Sequence, residues 1–383
     1  MGFFNFNKKQ TQPEEMKTDN GQYHSFSTPF GTIGKGNLST PYVRSYGSES
    51  YCRFGNDNLY PQLINQLYHI SPLNGAIICY KTNAVIGGGF ELISDYSKTP
   101  IEKVDEYTFL KKNKFNKLIR QCTKDLILHG RVCIIVTPNK NGVALERVGP
   151  EKVRNNKNKT LFTISDDWSI ASNMYELPEY SKNVEGPSLY QYEMDDDAGQ
   201  DIYPIPVYCS ALNWAFVDGE SSYLHKSNIL NSIFPSFMIK IAKKFGNSAD
   251  LEAFQKTIEQ AKGASETGRI MAFVSNDKES LPDIVPIPIN NNDKLFESTD
   301  TRTDLQLSRA HSIDPLLVGI RTTGALGSGT DIEIAYTIFE KNVVMPLREL
   351  VTEFSNELLS IGGIKSTIEI NNFQIIENKI IQK

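Results

Sequence analysis

The sequence predicts an α+β fold in which helices and short strands occupy separate stretches of the chain. In residues 331–361 apolar side chains recur at three- and four-residue steps, which is the pattern of a long amphipathic helix. Residues 132–136 are a β-branched run that NKNG separates from a second extended run at 143–148, which predicts a hairpin. With 383 residues, the chain is long enough for two or three globular parts with cores.

Composition and charge limit the class of protein. Hydrophobic residues make up 39% of the chain and charged residues 22%, which is ordinary for a folded protein. The net charge of -5 argues against a basic surface that binds nucleic acid tightly. It is compatible with a protein along which DNA moves without being held. The 5 cysteines are scattered without metal-ligand spacing, which predicts free thiols in a reducing compartment. No apolar run reaches the roughly 18 residues of a membrane span, so we expect no membrane partner.

The first half of the chain starts with a polar stretch and continues into the expected folded part. Residues 1–45 predict a flexible N-terminal arm. The next elements follow in chain order: a helix at 62–69, a helix from Ser71 to the glycines at 87–89, a strand at 90–93, a helix at 117–129 ending at Gly130, and the hairpin. Short strands and loops are expected at 155–215, so that 46–215 forms one α/β unit.

The second half is predicted to be two helical regions around an α/β insert. The insert, 236–290, has strand patterns at 236–241 and 268–274, a helix pattern at 248–262, and an extended stretch at 284–289. Pro286 and Pro288 make that last stretch an edge strand. The helix at 294–312 is so polar that we expect it to bury no stripe in its own chain. It would instead bridge solvent or be shared between subunits around an aqueous lumen.

A glycine-rich loop at 317–330 joins this polar helix to the long helix. Thr330 or Asp331 is expected to N-cap the long helix, with Glu333 completing a start similar to a capping box. Pro346 is expected to kink the helix near its middle because proline removes a backbone hydrogen bond. The glycines at 362–363 should end it, and 362–383 is interpreted as a C-terminal strand or tail.

Several of these segments occur together in one known family. They are DPLLVG at 314–319, the Gly/Ser loop that follows it, and FEKNVVMPL at 339–347. Their order resembles the C-terminal half of the portal proteins of tailed phages. LILHGRVC at 126–133 and VGPEKV at 148–153 resemble the wing domain of the same family. The chain departs from the family at 313–315, where Ile-Asp-Pro replaces the usual Val-Pro-Pro, so the match is weakest at the start of the DPLLVG segment.

The resemblance implies a portal fold with named parts. These are a wing at 46–215, a first stem helix region at 216–235, a clip at 236–290, a second stem helix at 291–316, a tunnel loop at 317–330, a long kinked helix at 331–361 and the tail at 362–383. The short tail implies a crown that is reduced or absent.

The resemblance also implies a function and partners. Portal proteins of this type form a dodecameric ring at one capsid vertex, which conducts DNA during packaging and ejection. The implied partners are further copies of the chain, double-stranded DNA bound without sequence preference, the major capsid protein, the terminase large subunit, and neck or adaptor proteins. The implied location is the virion, after assembly in the cytoplasm of the bacterial host.

Two sets of residues are the candidate sites. The glycines of the tunnel loop loosen its backbone, its hydroxyls carry no fixed charge, and one arginine at its root could meet phosphate. The residues expected to face DNA are Arg321, Thr322, Thr323, Gly324, Leu326, Gly327, Ser328, Gly329 and Thr330. The stem residues expected to pair between neighbouring subunits are Asp300, Arg302, Asp304 and Arg309.

Other readings remain open. The loop could be a plain linker between helices, and the chain could be another head–tail adaptor or structural ring protein. A nucleotide-binding enzyme could use residues 324–330, because helix N-termini attract anions. However, no strand pattern leads into that loop and no lysine follows its last glycine. The histidines show no metal or catalytic spacing, so we expect no enzymatic activity, no cofactor and no metal site.

Overall fold

The computed structural model describes the chain in ten stretches. They are residues 51–55, 57–93, 99–140, 142–170, 172–195, 202–231, 237–242, 270–275, 292–320 and 329–371. The predicted N-terminal arm, the extended stretch at 284–289, the helix at 248–262 and residues 321–328 lie outside the described residues.

The helices are numbered in chain order. They are α1 (Tyr60–Ile70), α2 (Pro72–Ile86), α3 (Pro100–Lys112), α4 (Phe115–His129), α5 (Leu212–Asn231), α6 (Asn292–Ala310), α7 (Gly329–Phe339) and α8 (Met345–Ile361). Short 3-10 turns span Pro150–Lys152, Val207–Ala211 and Pro315–Val318, and a π turn spans Glu340–Val344.

The strands are also numbered in chain order. They are β1 (Phe90–Ile93), β2 (Arg131–Asn139), β3 (Gly142–Val148), β4 (Val153–Asn155), β5 (Leu161–Ile164), β6 (Tyr175–Pro178), β7 (Ser188–Glu193), β8 (Phe237–Ala242), β9 (Ile270–Ser275) and β10 (Thr367–Ile370). Helices and antiparallel strands are largely segregated along the chain, so the predicted α+β class is confirmed.

The first two helices join at a single residue. Ser71 ends α1 and caps α2, since its Oγ accepts a hydrogen bond from the Asn74 backbone N–H at 3.2 Å. Pro72 then occupies the first turn of α2, where its missing N–H costs nothing. The predicted helix start at Ser71–Pro72 is therefore confirmed, while α1 begins two residues before the predicted start at residue 62.

Helix α3 was not predicted. Thr99 and Glu102 form a reciprocal capping box: Glu102 N donates to Thr99 Oγ1 at 3.3 Å, and Thr99 N donates to Glu102 Oε2 at 2.9 Å. The helix lacks an apolar stripe facing a core, because Phe109 is buried whereas Ile101 and Val104 are exposed. A search for buried periodicity therefore does not find it.

Two three-stranded antiparallel sheets form the next part of the fold. The predicted hairpin is confirmed as β2 and β3, and β7 pairs with the other edge of β2. The second sheet has the order β4-β5-β6. Side chains of both sheets pack into one buried cluster, formed by Cys133, Val148, Val153, Phe162, Ile164 and Leu189.

The long C-terminal helix packs back on the first half of the chain. It is divided into α7 and α8 by the π turn, and Pro346 lies in the first turn of α8. The kink expected at Pro346 stays a prediction. Helix α8 contacts α2 and α4, and Tyr190 and Tyr192 of β7 donate to glutamates on α8 at 2.7 and 2.6 Å. After the predicted stop at Gly362–Gly363, β10 pairs antiparallel with β1.

Two predictions about helix ends and burial are wrong. Helix α7 begins at Gly329, so Thr330 and Asp331 lie inside its first turn and do not N-cap it. Helix α6 buries Thr303, Leu307 and Ser308 within its own chain, contrary to the expectation for so polar a helix. Small hydroxyl side chains let it approach α5 closely, and α6 also contacts α2.

Candidate functional site

The predicted stem residues lie along α6, on or near its contact with α5. Asp300 Oδ1 accepts a hydrogen bond from Ser221 Oγ at 3.0 Å, and its other oxygen lies 3.9 Å from His225 Nε2. The Arg302 guanidinium lies 5.9 Å from the Trp214 ring centre. Both residues therefore contact α5 of the same chain, which the sequence did not reveal.

The other two predicted stem residues have different environments. Asp304 is half-buried, and burial raises the pKa of its carboxyl, with smaller contributions from the negative charges of Asp218 and Asp300. Arg309 is exposed in the last turn of α6. The α5–α6 contact is thus acidic, and a nearby cation would stabilise it.

Asp218 of α5 connects the stem helices to α1 and α2. Its Oδ2 accepts hydrogen bonds from Ser71 Oγ at 2.5 Å and from the Leu73 backbone N–H at 3.2 Å. The carboxylate thus lies at the positive N-terminal end of α2. Gly219 allows this approach, because a Cβ there would lie 2.9 Å from Ile70 side-chain atoms.

His311, just beyond the end of α6, joins the same junction. Its Nε2 lies 2.9 Å from Asn74 Oδ1, and its ring stacks on Tyr208 at 4.5 Å with an interplanar angle of 16°. Burial lowers the pKa of His311 well below its ordinary value, and the charge of Lys81 lowers it further. The imidazole is therefore neutral, and since an amide oxygen only accepts, Nε2 carries the proton.

The junction contains buried polar atoms with no hydrogen-bond partner among the described residues. They are Asn74 Nδ2, Thr303 Oγ1, Ser308 Oγ and His311 Nδ1. Burial also lowers the pKa of the nearby Lys81 to about 8. We call this set, together with Ser71, Tyr208 and Asp218, the stem junction.

A second buried polar cluster lies under the two sheets and centres on two arginines. Arg131 Nη2 donates to the carbonyls of Pro150 at 2.6 Å and Val153 at 2.9 Å. Its guanidinium lies 5.0 Å from the Tyr203 ring centre, and the side chain is fully buried. Tyr203 Oη donates to the Cys52 carbonyl at 2.6 Å. This hydrogen bond holds the segment before α1 against the cluster.

Arg154 completes the cluster, which we call the arginine anchor together with Arg131. Its Nε donates to Asn58 Oδ1 at 2.7 Å, Nη2 to the Asn58 carbonyl at 2.6 Å, and Nη1 to the Glu151 carbonyl at 3.0 Å. The guanidinium also lies 4.7 Å from the Trp168 ring centre. Burial lowers the pKa of Arg154, and these acceptors compensate the buried charge.

The predicted tunnel-loop residues fall mostly outside the described residues, which include none of Arg321, Thr322, Thr323, Gly324, Leu326, Gly327 and Ser328. Gly329 and Thr330 are the first residues of α7. On the other side of the loop, Asp314 Oδ1 accepts from the Leu316 N–H at 2.9 Å and caps the turn Pro315–Val318. That turn contacts α7.

Among the described residues, no group of three or more His, Cys, Asp and Glu side chains is arranged to hold a metal ion. None of the described helices combines the length and hydropathy that crossing a bilayer requires.

Comparisons with known proteins show similarity to one type of protein in sequence. No protein-family model matches the chain. Over 172 residues, or 45% of the chain, it is 22% identical to a probable portal protein of Escherichia phage P2. The chain resembles phage portal proteins. The matched region spans about half, 50%, of the length of the P2 protein.

Solved structures agree with this portal resemblance. The chain is similar to one in the neck of an empty gene transfer agent particle, a structure computed with C6 symmetry, with a TM-score of 0.56 and 14% identity. It is also similar to a chain in the virion of the native gene transfer agent, with a TM-score of 0.55 and 13% identity. Each match covers 82% of this chain and 84% of the other. The portal-like fold predicted from sequence is thereby confirmed.

Sequence reasoning missed several residues that organise this portal-like chain. Asp218 and Gly219 fall inside a helix, where neither has an evident local role. The contacts of His311 and the arginine anchor were not predicted. One signal for the junction is present in the sequence, since Ser71 followed by Pro72 predicts a helix start. A helix N-terminus favours a nearby carboxylate, which is the place that Asp218 takes.

Proposed function

We propose that this chain is a portal protein, which forms a ring at one capsid vertex and conducts DNA during packaging and ejection. The observation that supports this most is the combination of two matches, to the P2 probable portal protein in sequence and to the gene transfer agent neck in fold over 82% of the chain. The C6 symmetry of that neck structure favours a ring built from repeated subunits. The role is structural and not enzymatic.

The proposed ring is dodecameric and belongs to the virion, after assembly in the host cytoplasm. Its proposed partners are the major capsid protein, the terminase large subunit, and neck or adaptor proteins. Double-stranded DNA passes through the lumen without sequence preference. The net charge of -5 supports such passage, because each retained phosphate contact would add salt-dependent affinity and slow the DNA.

The stem residues are proposed to pair between neighbouring subunits as well as within one chain. Arg309 is exposed, whereas Asp304 lies in an acidic environment that raises the pKa of its carboxyl. A neighbouring Arg309 would supply the missing positive charge. One exposed pair stabilises by only about 0.2–1 kcal/mol, but a ring repeats it at every interface.

The tunnel loop is proposed to face the lumen and contact DNA transiently, with Arg321 meeting phosphate. The contact between the turn Pro315–Val318 and α7 supports this proposal, because the elements on either side of residues 321–328 pack on each other. A segment anchored in that way can reach out from the body of the chain without changing the helices on either side.

The test of this function is electron microscopy of the purified full-length protein. Rings with a central hole are expected, and monomers under all conditions would contradict the proposal. A variant with residues 323–328 shortened should still form rings but package less DNA. Nucleotide titration is the control: tight nucleotide binding with protection of residues 324–330 would support the enzyme alternative instead.

A further inference from the structure

Helix α3 presents an apolar stripe that its own chain does not cover. Ile101, Val104 and Tyr107 are 73%, 63% and 65% exposed, and they follow one another at three-residue steps on one face. The stripe ends at Lys111, whose Nζ lies 5.8 Å from the Tyr107 ring centre. Adjacent exposed apolar residues of this size are typical of a protein–protein contact.

The long helix presents a second uncovered stripe. Ile334 and Ile338 lie one turn apart on α7 and are 54% and 55% exposed, and Met345 at the start of α8 is 48% exposed. The neighbouring face of α7, about 100° around the helix, packs inward through Ala335 and Phe339. Ile332, in the first turn of α7, is 46% exposed, so α7 also presents an apolar side chain to solvent before Ile334.

The two stripes have complementary charges at their ends. The C-terminal end of α3 carries the exposed Lys111 and Lys112, whereas the N-terminal end of α7 carries the exposed Asp331 and Glu333. An antiparallel arrangement of α3 and α7 brings these opposite charges together. The same arrangement places Val104 near the level of Ile338, since both helices rise about 1.5 Å per residue.

We propose that α3 of one copy packs antiparallel against α7 of the next copy, so that the two stripes cover each other. This inference rests on the proposed ring function, because contact between two different surfaces is what lets copies add head to tail until the ring closes. It assigns α3 and α7, in addition to the stem, as a subunit interface. The occupant of each stripe is therefore a second copy of this chain.

Disulfide cross-linking tests the pairing. The variant carries Val104→Cys and Ile338→Cys in a background with Cys79→Ser, which removes an exposed natural thiol. Under mild oxidation, the double variant should give a ladder of covalent oligomers larger than a dimer. Either single variant should stay monomeric on the same non-reducing gel, and a mixture of the two should stop at dimers.

Two cross-linking results would overturn the pairing. Dimers formed by Val104→Cys alone would show that α3 packs on α3 of a second copy. Rings in the microscope without any ladder from the double variant would show that α3 and α7 do not meet, although the proposed ring function would stand. Monomers of the parent protein under all conditions would remove the proposed function and this inference with it.

A charge substitution gives an independent measure. Ile338→Asp should raise the protein concentration needed for ring assembly by roughly tenfold or more, because it places an uncompensated charge in an apolar contact. The matched control is Ile170→Asp, since Ile170 is likewise an exposed isoleucine, at 73%, but lies on a loop outside both helices. The control should assemble like the parent. Equal assembly of both variants would contradict the interface.

Discussion

The arginine anchor and the stem junction both bury polar side chains, but the two clusters differ in how many of the buried polar atoms have hydrogen-bond partners. In the anchor, all three guanidinium nitrogens of Arg154 donate to acceptors at 2.6–3.0 Å, and Arg131 Nε alone of the six guanidinium nitrogens has no partner among the described residues. In the junction, the hydroxyls of Thr303 and Ser308 have no partner among the described residues. Matched buried groups fix one geometry, whereas unmatched ones reduce the cost of moving. The contrast suggests a rigid body joined to a more adjustable stem.

The first and largest test breaks the anchor. Arg154→Ala should lower the free energy of unfolding by about 3–5 kcal/mol, because several buried acceptors lose their donor at once. Urea unfolding of the monomeric protein measures this change. Arg120→Ala is the control, since Arg120 is exposed and makes a hydrogen bond to Asn83 Oδ1 at 3.1 Å. It should cost less than about 0.5 kcal/mol. Similar small losses for both would show that the anchor is not a stabilising unit.

The second test uses pH to probe the edge of the anchor. His129 Nε2 lies 2.9 Å from Asn65 Oδ1. Burial lowers the pKa of His129 to about 3, and the charges of Arg131, Arg147 and Arg154 add to this. The unfolded residue titrates near pH 6.5, so between about 3 and 6.5 the unfolded state binds more protons. Stability contributed by neutral His129 is therefore lost as pH falls through that window.

His129→Gln should remove this acid sensitivity. The difference in unfolding free energy between parent and variant should change by about 1.4 kcal/mol per pH unit below pH 6.5, reaching about 2 kcal/mol at pH 5. Urea unfolding between pH 7.5 and 5 measures it. His69→Gln, at an exposed position of α1, is the control for the replacement of a histidine by glutamine. Parallel curves for parent and His129→Gln would contradict the buried neutral state.

The third test cuts the link between α5 and α2. Asp218→Ala removes the acceptor for Ser71 Oγ and the Leu73 N–H, and with it the negative charge at the N-terminus of α2. We expect a loss of about 1–2 kcal/mol in unfolding free energy. Glu220→Ala, two residues along α5 and pointing to a different face, should change stability by less than about 0.5 kcal/mol. Equal losses of unfolding free energy for the two variants would mean that Asp218 contributes only its negative charge and not its hydrogen bonds to α2.

Parts of this molecule could be predicted from local chemistry alone. The Ser71–Pro72 helix start, the hairpin of β2 and β3 and the stop at Gly362–Gly363 each depend on residues that are neighbours in sequence. Helix α3 was not predicted because its apolar face points to solvent. Prediction from hydrophobic periodicity assumes that the apolar face of a helix is buried.

Other parts depend on contacts that no local pattern contains. Arg154 finds its partner Asn58 at a separation of 96 residues, and His311 finds Asn74 at 237. The sequence identified charged stem residues such as Asp300, but it did not identify Ser221 and His225 of α5 as their contacts. It therefore predicted pairing between subunits alone. The lumenal role of residues 321–328 stays a prediction.

The smallest test addresses the junction itself. Thr303→Val replaces a buried hydroxyl by a methyl group of similar shape, and no described partner loses a hydrogen bond. We therefore expect unchanged stability or a gain of up to about 1 kcal/mol, because the Thr303 hydroxyl loses its hydration on folding without gaining a described hydrogen bond, and valine has no such cost. The same substitution at Thr123 is the matched control. That hydroxyl is equally buried but donates to the Ile119 carbonyl at 2.8 Å.

Thr123→Val should lose about 1 kcal/mol, so the two valine variants should differ in sign or at least in size. Urea unfolding of both proteins, side by side, measures the difference. If Thr303→Val destabilises as much as Thr123→Val, the Thr303 hydroxyl has a partner, such as a buried water, and the junction is as fully matched as the anchor. A difference in the expected direction would instead show that unpaired hydroxyls in α6 are kept at a cost in stability. Since such a cost brings no gain to a static fold, it would be consistent with a stem that moves relative to α2.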